Sequence, residues 1–360
     1  MTPGTVALTS TRTEVQFVGP SSVEVTSTDL AEPAPDEVRV RTTASAVSPG
    51  TELLIYRGKA PDTLSTDASI ESLSGELAFP LTYGYAAVGE VVATGENVDA
   101  SWRGTRVFSF QPHASHFNAA PEALVPLPDR VTDEDAVLIP SLETAVTLLM
   151  DGRPMIGERI VVFGQGIIGL LTTALLSSTP HECLYTVEPT PSRQRWSEEL
   201  GADASFDSDA GLDALADALH LKNAEATDAA EGPYEGADLI YEVSGHAEVL
   251  DQCLSLAGFD GRIIVGSWYG TKPASLDLGG RFHRSRMRLS SSQVSTIAPR
   301  YRGRWTKDRR MSHVVSLLSD ISPSQLINHE VPLRDAPELY RRLDEGDEDI
   351  LQPIFRYDAL

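Results

Sequence analysis

The first 140 residues alternate polar and apolar positions over short stretches. Apolar residues recur at about every second position in three stretches, which are separated by Pro and Gly: TEVQFVG from Thr13, SVEVTST from Ser22 and EVRVRTTASAV from Glu37. A period of two is typical of strands with one buried face. The pattern therefore predicts a β-rich region at the start of the chain.

From about Glu143 to Gly270 the pattern alternates between strand and helix. The predicted strands are RIVVFG, CLYTVE, ADLIYEVSG and GRIIVGS, and the helices between them include SRQRWSEEL and HAEVLDQCLSLA. Such alternation predicts a parallel sheet covered by helices, and hence an α/β fold. After about Val294 the chain returns to short helices and strands. The periodicity does not show whether these form a third unit or fold back on the first.

The length and hydropathy of the chain favour a folded protein of two domains. A chain of 360 residues with 41% hydrophobic content can bury sizeable cores. Its longest apolar run, 160–176, contains three glycines, a pattern that predicts a strand turning into a helix rather than a membrane span. The first residues lack a basic start followed by an apolar stretch, so we expect no secretory signal, no membrane partner and a cytoplasmic location.

The charge balance is strongly acidic. The chain has 52 acidic and 29 basic residues, a net charge of -23, and only four of the basic residues are lysines. This composition resembles that of proteins from salt-accumulating halophiles, although an ordinary acidic cytosolic enzyme is the alternative. The acidic surface disfavours nucleic-acid binding. The only cysteines, Cys183 and Cys253, exclude a disulfide scaffold and a cysteine-rich zinc site.

One basic stretch interrupts this acidic chain. Residues 281–310 hold nine arginines and Lys307 against a single acid, Asp308. Two interpretations stay open: ion pairs with acidic neighbours or a partner subunit, or recognition of an anionic group by arginines such as Arg281, Arg284 and Arg286. A nucleic-acid site is disfavoured by the net charge.

A glycine motif marks a cofactor site. Gly164, Gly166 and Gly169 follow the predicted strand RIVVF with G-x-G-x-x-G spacing, and Ile167 and Ile168 begin the predicted helix. The first glycine permits a tight turn, the second lets backbone approach a pyrophosphate, and the third allows close helix packing. The unpaired N–H groups at the helix start favour phosphate. The motif predicts dinucleotide binding.

The next predicted strand ends at Glu188, nineteen residues after Gly169. An acid at this spacing accepts hydrogen bonds from the adenosine ribose and repels a 2′-phosphate, which favours NAD over NADP. Arg193, which could reach such a phosphate, keeps NADP as an alternative. In the other interpretation Glu188 only caps its strand.

The ordered motifs resemble those of the medium-chain dehydrogenase/reductase superfamily. They are SPGTELLIYRG, GYAAVGEVV, GTRVF, VVFGQGIIG and GRIIVGSW, and they span nearly the whole chain. The resemblance implies a GroES-like catalytic domain at 1–141, a Rossmann domain at 142–292, and a return to the catalytic domain at 293–360. It also implies a homo-oligomer, either a dimer or a tetramer.

The zinc positions of this superfamily are changed here. Pro49 stands where the resemblance places a cysteine ligand, Tyr85 where it places the histidine of G-H-E, and Pro140 where it places the third ligand. Ala86 replaces the glutamate of G-H-E, and the four-cysteine structural zinc loop is absent. Proline and tyrosine do not supply the usual zinc donors, so we expect no catalytic metal.

Other positions of the superfamily are retained. Thr51 matches a hydroxyl that relays the alcohol proton, and Thr144 matches a threonine near the nicotinamide. Val265, Gly266 and Ser267 match the backbone that flanks the carboxamide. The zinc-less branch, with proteins similar to bacteriochlorophyllide hydroxyethyl dehydrogenase, shares the G-T-E and G-Y patterns.

Without zinc, hydrogen-bond donors must stabilise charge on the substrate oxygen. We expect Tyr85 to be the donor and Thr51 to complete a relay, with Glu52 or Glu143 as proton acceptor. Tyr85 as a core aromatic residue, and the two glutamates as structural groups, are the alternatives. The His113 and His116 pair would need a third partner to bind metal, and both are also candidates for a substrate pocket.

The sequence therefore predicts a zinc-independent, NAD-preferring oxidoreductase. Its expected reaction interconverts a secondary alcohol and a carbonyl on a small molecule that is polar and can be anionic. An NADPH-dependent double-bond reductase and a non-catalytic dinucleotide-binding protein are the alternatives.

Overall fold

The computed structural model describes residues 11–60, 78–221 and 235–357. Its strands, in chain order, are Thr11–Gly19 (β1), Ser22–Asp29 (β2), Val38–Ala46 (β3), Leu81–Thr82 (β4), Ala87–Thr94 (β5), Arg106–Ser109 (β6), His116–Ala119 (β7), Val125–Pro126 (β8), Arg159–Phe163 (β9), Cys183–Val187 (β10), Ala204–Phe206 (β11), Ala237–Glu242 (β12), Ala257–Val265 (β13), Arg288–Ser291 (β14), Ile327–Pro332 (β15) and Gln352–Arg356 (β16). Its α-helices are Pro49–Tyr56 (α1), Asp133–Ala136 (α2), Ile139–Gly152 (α3), Ile167–Leu176 (α4), Pro191–Glu199 (α5), Leu212–Ala218 (α6), Val249–Leu256 (α7), Lys307–Ile321 (α8) and Ala336–Asp344 (α9).

The chain forms two compact units. Unit 1 consists of Met1–Pro140 and Val315–Leu360, and unit 2 consists of Ser141–Val314. Unit 2 is thus an insertion in the sequence of unit 1. The second boundary lies after residue 314, whereas the sequence analysis places it after residue 292. Residues 293–314 pack within unit 2 through contacts such as Tyr301 Oη to the Met150 carbonyl at 2.7 Å.

Unit 1 is built from two β-sheets. One sheet has the order β2-β1-β4, and the other has the order β15-β16-β3-β5-β6-β8, with β7 paired to β3. The pairings are antiparallel except for β15 with β16. The C-terminal strand β16 pairs with β3, so the end of the chain completes a sheet begun near its start.

A buried apolar cluster in unit 1 brings α1 and α9 against the first sheet. Its aromatic members include Phe17, Tyr56, Tyr340 and Phe355, and Tyr85 packs against its edge. The ring of Tyr340 meets Phe17 edge-on and stacks on Tyr56. Burial of such large rings is a main source of stability in this unit.

Unit 2 is a six-stranded parallel sheet in the described residues. The strand order is β11-β10-β9-β12-β13-β14, and every neighbouring pair is parallel. The order runs outward from β9 in both directions, which is the doubly wound arrangement that places ligands at the carboxyl ends of the central strands. The α/β fold with a β-rich domain and a Rossmann domain, predicted from the sequence, is confirmed.

Some element bounds differ from the sequence pattern. Helix α7 begins at Val249 rather than His246, because the Ser244 hydroxyl accepts the His246 backbone N–H in a turn. The acidic segment 203–236 contains β11 and α6, and its remainder includes residues outside the described set. No helix among the described residues is long and apolar enough to cross a membrane.

Candidate active site

The glycine motif forms the turn between β9 and α4 in unit 2. Gly164 has φ of +88°, and a Cβ there would lie 2.5 Å from the Cα of Ser244. Gly166 is the N-cap residue of α4, and a Cβ at this position would meet no atom within 4 Å. At Gly169 a Cβ would lie 1.8 Å from the carbonyl oxygen of Gly164. The first and third glycines are therefore required by the fold, whereas the second leaves an open surface at the helix N-terminus.

This turn has the features that a pyrophosphate needs. The first backbone N–H groups of a helix lack intrahelical partners, and the N-terminal end of the helix carries a partial positive charge. An open surface at Gly166 leaves room for backbone contact. The residues fit a dinucleotide cofactor.

Glu188 lies directly after β10, beside the glycine turn. Its carboxylate accepts the Gln165 N–H at 2.7 Å and the Thr190 N–H at 3.0 Å, and the residue is only 4% exposed. A carboxylate offers about four acceptor positions, so two backbone donors leave capacity for a ribose hydroxyl. Glu188 thus fixes the turn and keeps the acceptor that its spacing predicts. Arg193 lies on α5, the helix that follows.

The residues after β12 and β13 lie together at the carboxyl edge of the same sheet. The Gly266 N–H donates to the Glu242 carbonyl at 2.9 Å, and the Ser267 hydroxyl accepts the Gly245 N–H at 2.8 Å. Val265 ends β13 and pairs with Glu242. The backbone at 265–267 therefore joins two strand ends of unit 2. Thr144 lies on α3.

In unit 1 the structure brings Tyr85 and Thr51 together. The Tyr85 hydroxyl donates to Thr51 Oγ1 at 3.5 Å, a long hydrogen bond, and both residues are half-buried. The Tyr85 ring meets the ring of Tyr83 edge-on at 6.1 Å. The ring thus packs against the core as the structural alternative expects, while its hydroxyl reaches the threonine that the resemblance implies.

Glu52 points into the interior of unit 1. Its side chain is fully buried and accepts three hydrogen bonds: from the Ser48 N–H at 2.7 Å, from His113 Nε2 at 3.1 Å and from the Tyr340 hydroxyl. Among the hydrogen bonds of the described residues, none runs from the Thr51 hydroxyl to this carboxylate. The predicted pair Tyr85 and Thr51 is therefore assembled without Glu52 as its direct acceptor.

His113 is a member of this buried network, whereas His116 lies apart from it. His113 is fully buried, and its Nδ1 contacts the Ser45 hydroxyl at 2.7 Å. His116 sits at the start of β7, where its Nδ1 contacts the Ser115 hydroxyl and burial lowers its pKa. The His113 side chain is closed off from solvent, whereas His116 is half-buried.

Glu143 is held by an arginine in unit 2. Arg310 donates through Nε at 3.0 Å and Nη2 at 2.8 Å to Glu143 Oε1, and the two residues are 1% and 6% exposed. Burial raises the pKa of Glu143, and the charge of Arg310 opposes that rise. This arrangement matches the structural alternative that the sequence left open.

Several arginines of the basic stretch are bonded inside unit 2. Arg288 pairs with Asp260, Arg300 with Asp151 and Arg310 with Glu143, while Arg281 donates to the Ala257 carbonyl. These contacts favour the ion-pair interpretation for that part of the stretch.

The side chains at the three zinc-ligand positions of unit 1 do not fit zinc. Pro49 begins α1, Tyr85 is bonded to Thr51, and Pro140 lies in the first turn of α3. Proline has no donor atom on its side chain, and zinc sites use Cys, His, Asp or Glu. Within the described ranges no group of three or more such residues is arranged to hold a metal ion.

Comparison with known proteins shows what parts of the chain are similar to. Residues 34–124 match the family model of the alcohol dehydrogenase GroES-like domain. An alcohol dehydrogenase from Escherichia coli CFT073, solved with NADH, superposes with a TM-score of 0.76 at 17% identity, covering 97% of this chain and 100% of that one. Residues 34–124 thus match the alcohol dehydrogenase GroES-like family, and the whole chain is similar in fold to alcohol dehydrogenases. The similarity to named dehydrogenases supports an NAD(P)-dependent enzyme like the alcohol dehydrogenases.

Two curated members of the superfamily show how distant the relationship is. The chain is 28% identical over 217 residues to (R,R)-butanediol dehydrogenase of Bacillus subtilis, a match that spans 52% of this chain and 59% of the relative. It is 24% identical over 347 residues to 2-desacetyl-2-hydroxyethyl bacteriochlorophyllide A dehydrogenase of Cereibacter sphaeroides, spanning 91% and 93%. At these identities the substrates of the relatives do not carry over to this chain.

The buried network contains residues that the sequence analysis missed. Tyr340 and Tyr357 lie far from Glu52 along the chain, and Ser45, although it is close in sequence, stands in an ordinary strand pattern. Only the unusual FQPHASHF segment signalled that His113 has a special role.

Proposed function

We propose that this protein is a zinc-independent oxidoreductase that prefers NAD and interconverts a secondary alcohol and a carbonyl on a polar small molecule. The observation that carries the proposal is the contact between the Tyr85 and Thr51 hydroxyls, at a place where the superfamily resemblance expects a metal ligand. Hydroxyl donors can take the role of a Lewis acid, since both stabilise negative charge on the substrate oxygen.

The proposed reaction needs a hydride acceptor and a route for the substrate's proton. When bound at the glycine turn of unit 2, NAD supplies the hydride acceptor. In alcohol oxidation the substrate hydroxyl donates its proton to Tyr85 Oη while Tyr85 donates its own proton to Thr51 Oγ1, so the released proton leaves through the two hydroxyls to solvent. In the reverse reaction the proton returns by the same route, and the phenol donates to the carbonyl oxygen as negative charge develops on it. A tyrosine hydroxyl can donate one hydrogen bond and accept others, as this relay requires. Removing one donor of this kind typically costs roughly 3 kcal/mol, or about a hundredfold in rate.

The preference for NAD rests on the charge of Glu188. Its buried carboxylate accepts two backbone N–H groups beside the glycine turn, so it is held in place. A fixed carboxylate there accepts ribose hydroxyls and repels a 2′-phosphate. The related butanediol and bacteriochlorophyllide dehydrogenases are named for alcohol substrates, which supports an alcohol and carbonyl pair over a double bond.

The test is a paired binding and activity experiment in concentrated KCl, chosen because of the net charge of -23. NADH and NADPH are titrated by fluorescence, and the preferred cofactor is then used with diols, sugar alcohols, and phosphorylated or carboxylated secondary alcohols. Tyr85→Phe is measured beside Tyr83→Phe, which removes a hydroxyl from a buried neighbour in the same loop. We expect Tyr85→Phe to lower kcat tenfold or more with cofactor affinity unchanged, and the control to keep kcat.

Three results would contradict the proposal. Unchanged kcat in Tyr85→Phe would remove the role of the phenol. NADPH-dependent reduction of enones without alcohol oxidation would select a double-bond reductase. Tight cofactor binding with no hydride transfer across the panel would select a non-catalytic binding protein.

A further inference from the structure

A carboxylate and an imidazole lie fully buried beside the hydroxyl pair of unit 1. Glu52 and His113 are each 0% exposed, and Glu52 Oε2 is 3.1 Å from His113 Nε2. Burying such groups is unfavourable unless they are hydrogen-bonded, so a well-bonded pair in a core needs an explanation. The proposed mechanism does not use either side chain directly.

Glu52 holds the helix segment that carries Thr51. Thr51 and Glu52 are consecutive in the first turn of α1, and Glu52 Oε1 accepts the Ser48 N–H at 2.7 Å just before the helix begins. Because the carboxylate closes over the start of the helix, its position fixes the backbone on both sides of Thr51.

His113 holds the segment that carries Tyr85. Gly84 has φ of +120°, and a Cβ there would lie 2.8 Å from His113 Cδ2 and Nε2, so the imidazole packs directly on the Gly84 backbone. The His113 N–H also donates to the Tyr83 carbonyl at 3.2 Å. His113 therefore contacts the two residues immediately before Tyr85, Gly84 through its imidazole and Tyr83 through its backbone.

Hydrogen bonds fix the orientation of the imidazole. With the proton on Nε2, the ring donates to Glu52 and accepts from the Ser45 hydroxyl, which in turn accepts from Tyr357 at 2.7 Å. Burial raises the pKa of Tyr357 and of Tyr340, whose hydroxyl donates to Glu52, so both phenols remain donors. One tautomer thus satisfies every group of the network.

We propose that Glu52 and His113 form a positioning pair that keeps the Thr51 and Tyr85 hydroxyls in contact. Each member supports one of the two segments, and the bond between them sets the distance between the segments. Neither member touches substrate, because both side chains are closed off from solvent. This inference rests on the proposed function only for its effect on turnover.

A spectroscopic experiment tests the positioning without knowledge of the substrate. The full chain is labelled with ε-13C-tyrosine, and the signal of Tyr85 is identified by its loss in Tyr85→Phe. Glu52→Gln keeps the shape of the side chain but replaces one carboxylate oxygen with an NH2 group. That group is a donor and faces a partner that also donates, which is His113, Tyr340 or the Ser48 N–H. The matched control is Asp135→Asn, which alters another buried carboxylate of unit 1.

We expect Glu52→Gln to shift the Tyr85 signal and Asp135→Asn to leave it unchanged. If Glu52→Gln does not fold, Tyr357→Phe is measured instead. It removes the hydroxyl that donates to Ser45, the outermost hydrogen bond of the network, and should shift the Tyr85 signal by a smaller amount. An unmoved Tyr85 signal in the folded variant would overturn the inference.

A double-mutant cycle tests whether the positioning affects turnover. We expect Glu52→Gln to lower kcat about tenfold or more in the parent, and to add little in the Tyr85→Phe background, because the group it positions is already gone. An equal factor in both backgrounds would indicate a general structural effect and overturn the role in turnover. A shifted signal combined with unchanged kcat in Tyr85→Phe would refute the proposed function and leave the positioning intact.

Discussion

The buried pair of Glu143 and Arg310 gives the sharpest stability prediction in unit 2. Arg310 is 1% exposed and donates twice to Glu143 Oε1. It also donates to the Thr147 hydroxyl and to the carbonyls of Thr296 and Val294. One guanidinium thus joins α3 to the segment before α8. Glu143→Ala would leave this cation buried without a counter-charge.

The structure sets the size of the expected loss. Breaking a buried ion pair typically costs 3–5 kcal/mol, and we take about 3 kcal/mol because Arg310 keeps three neutral acceptors. For a unit of this size about 1 kcal/mol corresponds to roughly 2–4 °C, so the midpoint of unit 2 should fall by about 6–12 °C. Scanning calorimetry of the full chain measures this directly.

A control and a second variant separate stability from catalysis. Glu182→Gln breaks an exposed ion pair with Arg159 in the same unit, and we expect less than about 1 kcal/mol. We also expect Glu143→Gln to lower the midpoint while cofactor-dependent turnover of the folded protein is kept. An unchanged unfolding midpoint in Glu143→Ala would show that leaving the buried Arg310 cation without its counter-charge does not destabilise unit 2. Loss of turnover at a wild-type midpoint would instead restore Glu143 as a proton acceptor.

Three further predictions concern unit 2. Gly166→Ala should keep the unfolding midpoint, because a Cβ there meets nothing within 4 Å, and should weaken NADH binding about tenfold or more by titration, because the methyl group covers the open surface. Gly169→Ala, whose Cβ would lie 1.8 Å from the Gly164 oxygen, should lower the free energy of unfolding by about 1–3 kcal/mol. Glu188→Gln should shift the ratio of dissociation constants toward NADPH, and an unchanged ratio would show that this carboxylate does not select the cofactor. Tyr241→Phe should be neutral or stabilising by up to about 1 kcal/mol in chemical unfolding, because the Tyr241 hydroxyl is buried without a hydrogen-bond partner; a clear destabilisation would contradict this.

Local patterns were sufficient to predict much of the fold. The period of two in TEVQFVG predicted β1, and the alternation after Glu143 predicted the parallel sheet. The glycine turn could be predicted because all its determinants lie within six residues of one strand end. Glu188 could be predicted because parallel strands bring their carboxyl ends to one edge.

The network around Glu52 could not be predicted in this way. Its partner His113 lies 61 positions away and Tyr340 lies 288 positions away, and their contacts depend on how strands and helices of unit 1 are registered in space. Neither residue belongs to a motif with fixed spacing. The partner of Glu143, Arg310, was hidden for the same reason, since it is one of nine arginines in a stretch whose pattern does not distinguish the buried one.

We propose that hydrogen-bond donors do in this protein what zinc does in zinc-dependent alcohol dehydrogenases. The most direct test of this proposal is to remove metal with a chelator, measure bound zinc by elemental analysis, and assay alcohol oxidation with NAD on the same sample. We expect full turnover in protein that contains far less than one zinc per chain. Turnover that is lost on chelation and restored by added zinc would contradict it.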